Sequence, residues 1–305
     1  MRGGRNSGAG IALAVALTVA GCGLGPGKGL PDVRLTVTRD YGSQLLLERL
    51  VGGVTESDTA MRVLERSAHV STRYGGGFVQ SIDGTEGETH GTAADDWFYY
   101  VNGVESPVGA TSYSLHGGEA IWWDYRDWSA AQSVPAVVGS WPEPFTTGYE
   151  GRRHPVAVKC MGGGGSCARV RRALAAAGAA LGAGSPSGAI RVLVGPWAQL
   201  RRDPAAAQIE AGPQESGVFA EFKRHGDRFS LTGLGENGQA LRSFGAGAGL
   251  VAATRRYEAP PTWLITGVST IGVRAAAGLL NSSGLRDHYA VAIETGKETP
   301  LPVMR

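Results

Sequence analysis

The chain has 305 residues, with 29 Lys+Arg against 27 Asp+Glu and a formal charge of +2. That length suggests about two domains. Hydrophobic residues make up 42%, enough to build cores, so wholesale disorder is excluded. The near-neutral balance argues against a nucleic-acid binder, which carries a basic face for the phosphates. Glycine is the outlier, with 48 residues, but it follows no triplet repeat, so a collagen-like chain is excluded too.

Arg2 and Arg5 precede a ten-residue apolar run, Ile11 to Ala20, and the tetrad Val19-Ala20-Gly21-Cys22. Charge, short apolar run and small residues are the order of a secretory signal. The run is too short to span a bilayer core about 30 Å thick. Val-Ala-Gly-Cys resembles the lipobox of bacterial lipoproteins. That resemblance implies cleavage after residue 21 and lipidation of Cys22. Residues 1–21 are thus expected to be a lipoprotein signal and 22–30 a flexible, Gly-rich tether. The protein is expected to be extracytoplasmic, anchored to the cell membrane by the lipidated Cys22.

In the first domain, residues 31–132, Val33, Leu35 and Val37 alternate with Arg34, Thr36 and Thr38 as in a half-buried strand. Leu45 to Val51 reads as a partner strand or a short helix. Ser57-Asp58-Thr59 offers caps to a helix reaching about Ala68. Strands are expected at Phe78 to Ile82, at Trp97 to Val101 ahead of an Asn102-Gly103 hairpin turn, and at Ile121 to Tyr125. The sum is a small mixed sheet with one helix on one face.

Three stretches share a further pattern: Arg73 to Ile82 (RYGGGFVQSI), DWFYYVNG, and GGEAIWWDYRDW. It resembles a bacterial domain of unknown function related to the carboxy-terminal domain of transcobalamin and intrinsic factor. The resemblance implies a β-grasp-like fold that closes over a ligand, with cobalamin or a related corrinoid as the candidate solute. It makes Arg73, Tyr74, Phe78, Trp97, Tyr99, Trp122, Trp123, Tyr125, Arg126 and Trp128 the candidate ligand-binding residues. The alternation of strand side chains points the same way. Consecutive rings at 97–100 and 122–125 must point to both faces, and one helix covers only one. Some rings are expected in an open binding face. The alternative for any one ring is that the second domain covers it.

Residues 133–150 (SVPAVVGSWPEPFTTGYE) lack periodicity and are expected to form a linker or an edge-hugging segment. The second domain, 151–305, alternates strand and helix signals and is expected to be a small α/β domain of unknown function, making the whole chain α+β. Cys160 and Cys167 flank a glycine run. Outside the cytoplasm they are expected to close a disulfide; the alternative, a metal site, lacks further ligands at a recognisable spacing.

Gly233-Leu234-Gly235-Glu236-Asn237-Gly238 matches a dinucleotide pattern, but the glycine-rich stretch after it is poor helix material, so a plain turn is expected. Asp287-His288 and Asp95-Asp96 are neighbours that a strand would point to opposite faces. No catalytic signature and no metal-ligand spacing is found, so neither an enzyme nor a resident cofactor is expected. The expected function is capture of a solute for uptake, with a permease as candidate partner. The other reading is a cell-envelope adhesion or scaffold lipoprotein that binds protein or glycan.

Overall fold

A computed structural model describes residues 27–86, 89–90, 93–162, 164–182 and 187–304. The expected signal, Cys22 and most of the expected tether lie outside the described residues. No helix among the described residues is long and apolar enough to cross a membrane.

The first half opens with strands β1 (Val33–Arg39) and β2 (Gln44–Val51), then helix α1 (Ala60–Glu65). Leu45 to Val51 is therefore strand. Thr59 caps α1 by accepting the Arg62 N–H. Three short strands follow, β3 (Val70–Arg73), β4 (Phe78–Ile82) and β5 (Thr85–Glu86), in a small sheet of their own. Then come β6 (Thr89–His90), β7 (Ala93–Val101), β8 (Val104–Glu105) and β9 (Ala120–Asp127). The main sheet runs β2-β1-β9-β7-β6, with β8 paired to β7. β1 and β9 are parallel at its centre.

Period-2 alternation divides this sheet into two faces. Val33, Leu35, Val37, Trp97, Ile121 and Trp123 share a core with Met61 and Leu64 of α1. Thr36, Thr38, Tyr100, Trp122, Asp124 and Arg126 occupy the alternate positions and point the other way.

The second half holds β10 (Val156–Cys160), α2 (Gly164–Ala176), β11 (Ile190–Pro196), and the short helices α3 (Trp197–Leu200), α4 (Pro204–Ala207) and α5 (Pro213–Ser216). β12 (Ala220–His225), β13 (Arg228–Leu234) and β14 (Ala240–Phe244) form an antiparallel three-stranded sheet. β15 (Gly249–Thr254), β16 (Thr262–Gly267), α6 (Thr270–Gly278), α7 (Ser282–Leu285), β17 (Ala290–Glu294) and β18 (Lys297–Leu301) complete the chain. The large sheet runs β10-β11-β16-β15-β17-β18, parallel over its first three strands. The architecture is α+β. The 233–238 glycine pattern spans the end of β13 and the turn into β14, as a plain turn requires.

One core joins the halves. Tyr41, Tyr100 and Trp122 of the first half are buried with Phe219, Leu250, Leu264 and Tyr289 of the second. The expected linker at 133–150 is corrected: Val134, Val137, Val138, Trp141 and Phe145 are buried. The apolar half of its SVPAVVGSW sequence makes it a wedge, which proline content alone concealed. Asn102 holds that wedge. Its side-chain amide donates to Thr147 Oγ1 at 2.9 Å and to the Gly148 carbonyl at 2.7 Å. The Asn102-Gly103 pair has φ of 54° and 76°, as the two-residue hairpin turn requires.

Candidate functional site

β7 and β9 are antiparallel, and their register sets Trp97 opposite Tyr125, Tyr99 opposite Trp123, and Tyr100 opposite Trp122. On the α1 side this builds aromatic pairs. Tyr99 stacks on Trp123 with centroids 4.8 Å apart, and Trp97 lies 5.3 Å from Tyr125. Aromatic pairs at such distances add to their area burial. A cavity of about 230 Å³ opens beside them. Phe78, Trp97, Tyr99 and Trp123 supply its walls, with Glu105 and Ser106 as polar groups.

The polar groups are positioned by the hairpin after β7. The Tyr99 hydroxyl is held by Ser106 Oγ at 2.6 Å and by the Val108 carbonyl. Burial pushes its pKa up to about 12, so it stays neutral. Burial also pushes the Glu105 carboxyl up, against a hydrogen bond from Ser133. The Trp123 indole N–H is buried without an acceptor among the described residues. The pocket can take a flat, apolar group and offer it a hydrogen-bonding carboxyl.

Next to Phe78 the β3–β4 turn displays one more ring, Tyr74. Phe78 is 41% and Tyr74 87% exposed, their centroids 6.3 Å apart. Tyr74 has φ of 53°, a left-handed conformation that a bulky residue adopts only at a cost. The chain thus holds an aromatic ring in water on a strained backbone.

The expected open face is corrected in part. Trp122 is 2%, Trp123 3% and Arg126 1% exposed. Trp122 and Arg126 are instead buried on the face that the second half covers. Arg126 stacks 3.7 Å over Phe98 and donates to the Ala131 carbonyl at 2.7 Å, as a buried tie rather than a polar rim. Trp97 and Trp123 are buried under α1 and present only a pocket wall. Tyr125 and Trp128 are half-buried and Arg73 is exposed; none of the three lines the cavity. Phe78, Trp97, Tyr99 and Trp123 are brought together. Glu105 went unnoticed in the sequence, where one acid on a short hairpin arm carries no signal.

Asp287 and His288 form no dyad. Asp287 has φ of 57°, and the His288 Nδ1 has no partner among the described residues. Cys160 and Cys167 are joined, with Cα atoms 5.9 Å apart, so this pair forms the expected disulfide. Among the described residues no group of three or more His, Cys, Asp or Glu is placed to hold a metal.

Residues 57–127 match the model of a domain of unknown function, DUF4430. The match covers the elements from α1 to β9 and so contains the aromatic pocket. A solved structure from Ruminococcus gnavus ATCC 29149, of a candidate metal binding protein, is similar over 32% of this chain and 97% of its own. Its identity is 17% and its TM-score 0.26. No curated protein matches the chain.

Proposed function

We propose that this is an extracytoplasmic binding protein, tethered by lipid at Cys22, that takes a flat organic solute at the DUF4430 pocket. The carrying observation is the cavity walled by Phe78, Trp97, Tyr99 and Trp123, with the exposed Tyr74 ring beside Phe78 on a strained backbone. We read the first half as β-grasp-like, a mixed sheet with one helix across it. A corrinoid is the first solute to test. The cavity of about 230 Å³ lies below the usual range for a whole ligand, about 300–1,000 Å³. A corrinoid would therefore insert one edge or a peripheral group, with its remainder against Tyr74 and Phe78. Capture of this kind would feed a permease.

The test is titration of the full chain carrying Cys22→Ser with cobalamin and cobinamide, followed by tryptophan fluorescence and calorimetry. Micromolar or tighter binding, about −8 kcal/mol, weakened by Tyr74→Ala and Phe78→Ala, is expected. Silence with both corrinoids sinks that ligand. A second reading, a cell-envelope scaffold, is favoured by β2. This edge strand exposes Leu45, Leu46 and Leu50.

A further inference from the structure

β10, β11 and β16 run parallel, so their carboxyl ends lie along one edge of the large sheet. In open α/β sheets ligands are held outside that edge. α2 starts just after β10 and α6 just after β16. Between the two helix starts is a cavity of about 330 Å³. Arg169, Arg172, Arg274, Ser166 and Thr270 line it, and no acidic side chain does.

Arg169 and Arg172 are three residues apart and therefore neighbours on α2. Arg274 reaches the same hollow from α6. None of the three has a hydrogen bond or ion pair among the described residues. Several arginines elsewhere are tied. Arg171 donates to the Val158 carbonyl, Arg255 pairs with Glu150, and Arg201 pairs with Glu210. Three unpaired guanidinium groups around one hollow repel each other and lower the potential energy of an anion placed among them. Their forked donors match the oxygens of a phosphate, and the helix starts add free N–H groups.

Both walls are rigid. The Cys160–Cys167 disulfide ties the first turn of α2 to the end of β10. The start of α6 is pressed so close to β15 that a Cβ on Gly272 would lie 1.9 Å from the Ala248 carbonyl oxygen. A preformed cationic hollow avoids the ordering cost of assembling one.

The geometry points to a binding site for a phosphate-bearing anion at Arg169, Arg172 and Arg274. This site is separate from the aromatic pocket, and neither depends on the other. A free phosphate compound and a lipid phosphate headgroup share the chemistry, and the test separates them. The full chain carrying Cys22→Ser is titrated at low salt with inorganic phosphate and pyrophosphate. It is also sedimented with vesicles of phosphatidylglycerol or of phosphatidylcholine alone. Saturable binding of pyrophosphate is expected, weakened at least about tenfold by Arg172→Ala and by Arg274→Ala and unchanged by Arg228→Ala. Recruitment to the anionic vesicles, lost in the same variants and without heat from the free anions, assigns the headgroup. Silence in both arms overturns the site. So does a loss at Arg228→Ala as large as that at Arg274→Ala. The three arginines are exposed, so the variants should keep the wild-type unfolding midpoint.

Discussion

Tyr289 donates a 2.9 Å hydrogen bond to the carboxylate of Asp124, across the boundary between the two halves. The same carboxylate accepts from Thr38 Oγ1 and from the Gly42 N–H at 3.0 Å. Trp122 Nε1 donates to Thr38 at 2.7 Å, and the Tyr100 hydroxyl donates to that of Tyr289. A buried carboxylate is tolerable only with its hydrogen bonds made, so this network fixes how the halves dock. Tyr289→Phe removes one donor and leaves Asp124 buried. We expect a loss of about 2 kcal/mol in urea unfolding with an unchanged slope. A stability equal to wild type would mean that the seam owes nothing to this bond.

The same carboxyl makes stability depend on pH. Burial pushes the Asp124 pKa up to about 6, against the hydrogen bonds from Thr38, Tyr289 and Gly42 and the charge of Arg126. The unfolded value is about 4. The folded state therefore keeps its proton longer, and stability falls as pH rises from about 4 to 6 and is flat above. Asp287 is also raised to about 6, by burial first, and acts in the same direction. His288 is lowered by burial, so its contribution is lost as pH falls through its unfolded value, the opposite sign. Comparison with Asp124→Asn isolates the first group. The stability of wild type relative to that variant should drop by about 2 kcal/mol between pH 4 and 6. A difference that stays level over this range would show Asp124 to be ionised when folded.

Much of this fold was legible in the sequence, and the misses have physical causes. The alternation of Val33, Leu35 and Val37 and the Asn102-Gly103 turn are local signals, and the structure has both elements. The α6 reading, Ser269 to Leu280, is close to the observed Thr270–Gly278. Alternation also indicated that rings 97–100 and 122–125 point to both faces. It gave no means of knowing which face the second half covers, because docking depends on long-range contacts such as Tyr41 against Phe219. β18 holds Thr299, Pro300 and Leu301 and lacks the β-branched run that marks a strand. Its pairing with β17 supplies what local propensity does not.

Pocket function and fold stability should separate at Tyr74 and Trp123. Tyr74 sits at φ 53° and is exposed, so Tyr74→Gly should relieve backbone strain and raise stability by up to about 1 kcal/mol. The same change should weaken solute binding, because the ring beside Phe78 is gone. Trp123 is buried under α1, so Trp123→Ala should cost about 3–5 kcal/mol whether or not any solute is present. Paired thermal-unfolding and fluorescence-titration curves check both. Equal affinity in Tyr74→Gly and wild type would remove Tyr74 from the site.

The start of α6 should tolerate no added carbon. Gly249, Gly267 and Gly272 lie where β15, β16 and α6 meet, and a Cβ on Gly249 would come within 2.2 Å of the Gly272 carbonyl oxygen. These contacts are backbone to backbone, so no side chain can swing aside. Gly272 is within the helix, where alanine would ordinarily be the better residue by about 1 kcal/mol. Here the clash dominates, and Gly272→Ala should cost about 3 kcal/mol or more. Gly165, in the first turn of α2, meets nothing within 4 Å, so Gly165→Ala should be neutral or stabilising. Thermal unfolding of the two variants gives opposite signs if close backbone approach, and not helix propensity, placed glycine at 272. Equal midpoints would show that α6 can move away from β15, and the rigid wall argued for the arginine hollow would go with it.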